Sequence, residues 1–330
     1  MASPGQGASG TAFNIFSELV TSTYRAHQKT VADNVSKHNA LYRRLTKKDR
    51  MRLEDGGLSI VFPLEYASNS TYQRYSGYDP LNINAVDVLS AAEYAWRQVA
   101  VNVSVSGLEM RTNSGENRII NFVKAKVRNA MHSAANGLSY DFYSDGTAAN
   151  QIGGVQSLVA DTGTGSVGGI NSSTYAFWQN IVQSAAALLQ GGSVTPSATT
   201  IESMMLALWI KLTRGTDQPD LIVFSDDYYT FYEQSQTSLK RYTADQDGSG
   251  GMTSMKYKSA DVFFDSSGGV PSAHGYFLNT DYVEVVVHQD ANLTMSDDID
   301  SFGQDSFVKS ILWQGNLGVS NRSLQGVMKA

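Results

Sequence analysis

The sequence predicts an α+β protein with two lobes, and two stretches of the chain carry that prediction. Between Trp96 and Tyr143, a strand of alternating polarity runs directly into a long amphipathic helix. Beyond residue 199, helical patterns flank a short continuous apolar run, which is typical of a strand buried on both faces. The chain has 330 residues. That length allows two lobes, because single cores stop growing near roughly 250–300 residues.

The first 55 residues are predicted to form a basic N-terminal arm. Residues 1–12 are small and polar, and we expect them to be disordered. The helical pattern from Phe13 to Arg52 begins apolar on one side and then looks too polar for a core element, so we expect the arm to dock only by its first turns. The stretch from Arg25 to Arg52 contains nine cations and only two acids, Asp33 and Asp49; the cations are Arg25, Lys29, Lys37, Arg43, Arg44, Lys47, Lys48, Arg50 and Arg52.

Two interpretations of these nine cations carry equal weight. Lys and Arg at this density bind nucleic-acid phosphates without reading sequence. The same residues are equally well explained as a solvated face, or as one that contacts a neighbouring protein. The cations are therefore candidates for contact with DNA or with a neighbour.

Residues 56–95 are predicted to form an extended segment that projects from the core as a long hairpin or loop. Turn signals separate its short apolar runs. Its first apolar run is Leu58-Ser-Ile60-Val-Phe62-Pro63-Leu64.

The strand that follows has one apolar face. Its apolar residues are Val99, Val101, Val103 and Val105, with polar or small residues between them. The phase of the pattern shifts at Gly107, where Leu108 and Met110 take over the apolar positions. This predicts a β-bulge that bends the strand.

A long helix is predicted from about residue 114 to 142, which is about 40 Å at 1.5 Å per residue. Asn113 is its expected N-cap, with Glu116 completing a capping box. The apolar stripe keeps steps of three and four residues; its members are Ile119, Phe122, Val123, Val127, Met131, Ala134, Leu138 and Phe142. No reactive group is placed on the strand or the helix, so both are expected to hold shape.

The rest of the chain is predicted as follows. Ile152–Val159 is a strand, and the second lobe begins within Tyr175–Leu189. Thr199 and Glu202 form a capping box for a helix over Ile201–Leu212. Leu221–Phe224 is a buried strand, and Ser225 caps a helix that ends near Leu239. Further strands are expected at Asp261–Phe264, His274–Leu278 and Val283–His288, and Phe307–Leu317 is expected to return to the first lobe.

One segment supports an enzyme hypothesis. Gly163-Thr-Gly165-Ser-Val-Gly168 matches the dinucleotide fingerprint, whose glycines bring a pyrophosphate to a helix N-terminus. The chain has 29 glycines, and no acid follows Gly168 at the required distance. A Gly-rich turn is therefore the favoured interpretation, with a nucleotide-binding α/β enzyme as the alternative.

Other candidate sites are weaker, and no catalytic residue, cofactor or metal site is predicted. Asp245-x-Asp247 resembles the start of a calcium loop, but Lys256 occupies the position of the bidentate Glu. The histidines lack the spacing of a zinc helix, and His274 and His288, in strand-like contexts, are expected to be hydrogen-bonded core imidazoles rather than ligands. The aromatic group at residues 228–232 is expected to pack a helix rather than stack bases. The absence of cysteine excludes disulfides and thiolate catalysis, and neither a signal peptide nor a membrane span is expected.

Six segments, taken in order, resemble the major capsid proteins of tailed double-stranded DNA bacteriophages, which have the Hong Kong 97-type fold. The segments are Gly56-Gly57 to Tyr66, Ala92–Trp96, Asn113–Glu116, Tyr143–Thr147 with Ile152–Gln156, His274–Thr280, and Trp313–Leu317 with Asn321-Arg322. No single segment is diagnostic, and the resemblance rests on their order.

The resemblance implies four regions. They are an N-terminal arm (1–55), an extended loop (56–95), a peripheral domain (96–153 and 306–330, with a spine helix at about 114–142) and an axial domain (154–305). It also implies self-assembly into hexamers and pentamers of an icosahedral head that encloses double-stranded DNA. The expected location is the virion capsid, assembled in the bacterial host cytoplasm. The expected partners are other copies of the chain, a portal, a scaffold, a cementing protein in some relatives, and packaged DNA without sequence preference.

Overall fold

A computed structural model describes residues 20, 39–84, 87–112, 116–236, 255–265, 267–296, 299–300 and 305–330. The first described elements are α1 (Ala40–Lys47), β1 (Met51–Glu54), β2 (Ile60–Glu65), β3 (Leu89–Tyr94), β4 (Arg97–Ser106), α2 (Gly107–Thr112) and α3 (Glu116–Asp141). The next elements are α4 (Val155–Leu158), β5 (Ser166–Val167), β6 (Ile170–Asn171), β7 (Ile181–Ser184), α5 (Ile201–Leu212), β8 (Leu221–Phe224) and α6 (Asp226–Ser235). The last elements are β9 (Met255–Tyr257), β10 (Ala260–Phe264), β11 (His274–Leu278), β12 (Val283–Met295), β13 (Ile299–Asp300), β14 (Ser306–Val319) and β15 (Gly326–Lys329).

A five-stranded sheet forms the first lobe. Its strand order is β1-β12-β14-β13, and β4 pairs with the other side of β14. The β4–β14 pairing is antiparallel and runs from Ser106 opposite Ser306 to Arg97 opposite Gly315. This confirms the prediction that the late chain returns to the first lobe.

The long helix α3 lies against this sheet. Its 26 residues span about 39 Å. Val123, Val127 and Leu138 are buried and belong to one core with Val103 and Val105 of β4. The helical prediction is confirmed over the described residues. The proposed cap Asn113 lies outside them, and nothing is described of the side chains of Glu116 and Ile119.

A six-stranded sheet forms the second lobe, in the order β7-β15-β11-β8-β10-β9. Helices α5 and α6 pack on one face and form a second core with Phe224, Phe277 and Met328. The other face joins the main core through Val223 and Tyr276. The late chain is shared between the lobes, since β12 and β14 lie in the first sheet and β15 in the second.

Two predictions about strands are wrong. At Gly107 the chain forms no bulge but leaves the strand and begins α2, because Ser106 and Glu109 cap this helix reciprocally. The Ser106 N–H donates to Glu109 Oε2 (3.1 Å), and the Glu109 N–H donates to Ser106 Oγ (3.2 Å). Leu108 is therefore exposed rather than in the core. The segment predicted as a strand at Ile152–Val159 instead contains the short helix α4, whose first N–H donates to the Phe142 carbonyl.

Two predictions about helices are also wrong in part. Helix α5 has the predicted bounds, but Thr200 is its N-cap and makes no side-chain capping bond, while Glu202 accepts a hydrogen bond from Gln236. The arm is not too polar for the core over its last turns. There α1 buries an apolar face that includes Leu41 and Leu45.

Candidate interaction surfaces

The tip of the β2–β3 hairpin exposes large apolar side chains. Strands β2 and β3 pair antiparallel from Ile60 opposite Tyr94 to Glu65 opposite Leu89, and their buried residues pack on the main core. Beyond the strands, the described chain has no regular structure and exposes a group of aromatic and aliphatic side chains: Tyr72, Tyr75, Tyr78, Leu81 and Ile83. More than half of the surface of each of these residues is exposed. They are a surface suited to a partner.

The end of the predicted arm carries a cluster of cations, which we call the basic cluster: Arg44, Lys48, Arg50 and Arg52. Its centre is Asp220, which precedes β8. Oδ2 of Asp220 lies 2.9 Å from Arg44 Nε and 3.0 Å from Lys48 Nζ. Thr280 donates to the same carboxylate from its backbone N–H and its hydroxyl, each at 2.7 Å. Burial alone would raise the pKa of Asp220, but these hydrogen bonds and cations outweigh it and hold the pKa below its usual range.

The rest of the basic cluster pairs with other carboxylates. Arg44 also reaches Asp261 at 3.1 Å, and Lys48 reaches Asp281 at 2.9 Å. Arg50 and Arg52 each lie 3.6 Å from an oxygen of Glu284. These pairs join α1 and β1 to the second lobe and to β12.

The remaining predicted contact residues are placed as follows. Arg43 and Lys47 lie on α1 beside the basic cluster, whereas Arg25, Lys29 and Lys37 lie outside the described residues. A local sequence pattern does indicate that α1 is a helix with a buried face. Asn39 is its N-cap, its side chain accepting from the Tyr42 N–H, and Leu41 and Leu45 lie one turn apart. The carboxylates are 176 or more residues away from Arg44, and no local pattern identifies them.

The Gly163–Gly168 segment does not have the geometry of a dinucleotide site. Gly168 and Gly169, both at positive φ, connect β5 to β6 in a small hairpin. The Gly168 carbonyl accepts the Glu93 N–H of β3 at 3.0 Å, and Trp178 Nε1 donates to the Val167 carbonyl at 2.9 Å. In the described chain the next regular element after the hairpin is a single 3₁₀ turn at Ala176–Trp178. No helix N-terminus is therefore presented to a pyrophosphate here.

His274 has the strand environment predicted for it. Its Nε2 lies 2.9 Å from Asp161 Oδ2, and its Nδ1 lies 2.8 Å from the Ser272 carbonyl. Burial alone would lower the pKa of His274, but the Asp161 hydrogen bond outweighs it, so the pKa is raised above its ordinary value. This pair joins the turn after α4 to β11.

Arg322 is a buried residue that the sequence did not reveal as structural. It is fully buried at the junction of the two sheets. Its Nε donates to the Leu158 carbonyl at 2.7 Å, and its Nη1 donates to Ser172 Oγ and the Trp178 carbonyl. Burial lowers the pKa of Arg322 to about 10. The guanidinium thus fixes α4, β6 and the 3₁₀ turn to the end of β14.

The other predicted sites are placed as follows. The aromatic residues of α6 pack inside the second core, with Tyr228 and Tyr232 buried against Phe224. They are thus not available to stack bases. The Asp245–Gly250 loop lies outside the described residues. Within the described ranges, no group of three or more His, Asp and Glu side chains could hold a metal ion. No described helix is long and apolar enough to cross a membrane.

Comparison with known proteins identifies a shared fold. No family model matches the sequence, and no curated protein does. Among solved structures, a chain of the cyanophage A-1(L) capsid asymmetric unit superposes with a TM-score of 0.61 at 15% identity, covering 85% of this chain and 90% of that one. A chain of the capsid of an empty GTA particle gives 0.57 at 9% identity over 86% of this chain and 88% of that one. A chain from Mycobacterium phage Bobi gives 0.50 at 9% identity over 86% and 89%.

Proposed function

This chain has the α+β, Hong Kong 97-type fold of phage capsid proteins, as its sequence predicts, and we propose that it is the major structural subunit of an icosahedral phage head. In this proposal, copies of the chain assemble into hexamers and pentamers, and the closed shell encloses double-stranded DNA. Its location is the virion capsid, after assembly in the host cytoplasm. Its further partners are the portal, a scaffold and a cementing protein.

The main observation behind this proposal is the exposure of large apolar side chains at the hairpin tip. A single subunit leaves Tyr72, Tyr78 and Ile83 exposed on a segment with no core of its own. Isolated exposed apolar residues are common on proteins, but a contiguous group of them indicates an interaction site. A closed shell supplies a matching surface for every copy through repeated interfaces.

The proposal keeps the four regions predicted from the sequence. Residues 1–55 are the arm, 56–95 the extended loop, 96–153 with 306–330 the peripheral domain, and 154–305 the axial domain. The spine helix corresponds to α3. Its long apolar stripe packs on the β4 side of the first sheet, which supports its role as the rod of the peripheral domain.

Contact of the arm with DNA or with a neighbour is part of the proposal. In the basic cluster, each of the four cations has a carboxylate within 3.6 Å in the same chain, and this pairing reduces its capacity for phosphate. We therefore propose that this part of the arm mainly docks the arm to its own subunit. Binding of packaged DNA by the arm then falls to the predicted cations outside the basic cluster, which are Arg25, Lys29, Lys37, Arg43 and Lys47.

The test is assembly of the purified chain, followed by electron microscopy and sedimentation. We expect closed particles or ring-shaped capsomers. The matched control replaces residues 67–87 by a two-residue Asn-Gly turn between Tyr66 and Val88, which retains β2 and β3. We expect it to fold and to remain unassembled. A full-length chain that stays a monodisperse monomer under all assembly conditions would overturn the proposal.

A further inference from the structure

Helix α3 has one buried face and one exposed face. The buried face includes Val123 and Val127, which belong to the main core. The polar residues of the exposed face recur at steps of four, and we call them the outer face of α3. They are Lys124, Arg128, Asn129, His132, Ser133 and Asn136. Because all six are exposed, this face is accessible to a partner.

The outer face of α3 has positive charge and no acid. No Asp or Glu occurs between Glu116 and Asp141, although the chain as a whole has a net charge of −6. Within the described residues, Lys124 and Arg128 form no ion pair and no hydrogen bond. A solvated surface usually mixes charges of both signs. A surface with one sign of charge instead attracts a partner of the opposite sign.

The outer face differs in this respect from the basic cluster on α1 and β1. There each of the four cations has a carboxylate of the same chain within 3.6 Å. On α3, Lys126 is likewise paired, since its Nζ lies 3.0 Å from Glu109 Oε2. Lys124 and Arg128 lack such a partner among the residues described, so their full charge is available to an external anion.

The side chains of the outer face suit phosphate better than a protein surface. Protein interfaces depend on buried aromatic and apolar anchors, and no large apolar side chain is exposed between Lys124 and Gly137. The neutral members of the face are instead hydrogen-bond donors. Asn129, Ser133 and Asn136 have side chains of the kind that contact phosphate oxygens, and His132 has a ring N–H in either tautomer.

The spacing of these donors matches an extended polyanion. A step of four residues rises about 6 Å along a helix, so Lys124 and His132 are about 12 Å apart along the axis. Duplex DNA carries one negative charge per about 1.7 Å, so this length faces about seven phosphate charges. Arg128, His132 and Asn136 also border an open depression of about 470 Å³ on this face, which has room for a phosphate group.

We propose that the outer face of α3 binds the sugar–phosphate backbone of duplex DNA without reading its sequence. Lys124 and Arg128 each neutralise a phosphate, and the neutral donors beside them fix the backbone in place. This inference rests on the proposed function, since the duplex is the DNA that the shell encloses. It directs the exposed side of α3 toward the interior of the head.

The test is the salt dependence of DNA binding by the unassembled full-length chain. Fluorescence anisotropy with a labelled 20-base-pair duplex gives the association constant between 50 and 200 mM salt. Each phosphate contact contributes about 0.9 to the slope of log K against log salt concentration. Lys124→Gln with Arg128→Gln should therefore make the slope shallower by about 1.8. The ratio of the unsubstituted to the variant association constant should fall about 12-fold over this salt range.

Two control variants separate the outer face from overall charge. Arg74→Gln with Lys211→Gln removes the same two charges from other exposed positions, and we expect it to retain the slope. Lys124→Arg with Arg128→Lys keeps both charges on the outer face, and we expect it to retain binding. All these positions are exposed, so the urea unfolding midpoints should not change. A loss of binding would then not reflect unfolding.

The outcomes separate this inference from the proposed function. An unchanged slope for Lys124→Gln with Arg128→Gln would overturn the inference, as would the absence of binding by the unsubstituted chain at 50 mM salt. An equal loss in the Arg74→Gln with Lys211→Gln control would also overturn it. Particles seen by electron microscopy would leave the shell proposal standing in each case.

Two further outcomes concern the identity of the partner. Binding of a poly-glutamate peptide but not of the duplex would assign the face to an acidic protein and overturn the inference. A chain that never forms particles but shows the expected change in slope would support DNA binding by α3 and count against the shell.

Discussion

The hairpin tip and strand β8 contain similar kinds of residue in opposite environments. In β8, all four residues are fully buried, Ile222 and Phe224 in the second core and Leu221 and Val223 in the main core. At the tip, Tyr78 and Ile83 are almost completely exposed. The difference shows that apolar residues serve two purposes in this chain. Those of β8 stabilise the subunit, whereas those of the tip are largely exposed and contribute little to its stability.

The largest effect we expect from this difference is on the free energy of unfolding. Phe224 contacts the rings of Tyr228, Tyr232 and Phe277. Phe224→Ala removes these contacts and leaves a cavity, so we expect a loss of about 3–5 kcal/mol. Tyr78→Ala removes an exposed ring, and we expect a change within about 0.5 kcal/mol. Urea unfolding of the unassembled chain measures both.

A control keeps this comparison clear. Phe224→Leu retains most of the buried volume, and we expect it to lose less than Phe224→Ala. If Tyr78→Ala destabilised the isolated subunit as much as Phe224→Ala, the tip would be packed within its own chain. The distinction between the two regions would then be wrong.

The two regions also differ in how well the sequence predicts them. The Leu221–Phe224 strand is read correctly because burial on both faces gives a continuous apolar run, and the helix α3 because its buried face repeats every three or four residues. The Gly107 bulge was wrong because the sequence also contains the Ser106 to Glu109 capping box, which ends the strand there. The buried face of α1 is not predicted, because the many cations around Leu41 and Leu45 make the segment look too polar for the core. The exposed tip was predicted as a projecting loop, but its partner surface has no local signature.

The same comparison applies to two carboxylates, Asp79 at the hairpin tip and Asp220 before β8. The second-largest change we expect in the free energy of unfolding is at Asp220. At the tip, Asp79 accepts only the nearby Ser76 N–H. Asp220 instead binds groups from α1 and from Thr280. Asp220→Asn should cost about 2 kcal/mol at pH 7, since hydrogen bonds to charged groups contribute more than neutral ones. Asp79→Asn should leave the free energy of unfolding almost unchanged.

The stabilisation by Asp220 should also depend on pH in a direction that its pKa fixes. The pKa of Asp220 is lowered in the folded chain. Its stabilisation is therefore complete above the unfolded pKa of about 3.9 and is lost as pH falls through the folded value. The difference between Asp220→Asn and the unsubstituted chain should shrink between pH 7 and pH 3. An equal difference at both pH values would show that the carboxylate charge contributes nothing.

The long-range partners of Asp220 also explain why this part of the structure was not predicted. Arg44 lies 176 residues before Asp220 in the chain. The sequence shows only a cluster of cations, and that cluster is equally compatible with phosphate and with carboxylate partners. Folding decides between them by bringing the end of α1 to the edge of the second lobe.

The smallest effect we expect is the contribution of His274 to the stability of the second lobe. The hairpin tip contains no histidine, so it cannot contribute to this pH dependence. The carboxylate partner Asp161 is 44% exposed, so we expect the His274–Asp161 pair to contribute less than about 1 kcal/mol. The pKa of His274 is raised in the folded chain. The stabilisation is therefore present below the unfolded pKa of about 6.5 and is lost as pH rises through the folded value. Thermal unfolding at pH 6 and pH 9 measures this. His274→Gln should lower the midpoint at pH 6 more than at pH 9, and Asp161→Asn should remove the difference between the two pH values. A pH dependence that survives Asp161→Asn would show that another group causes it.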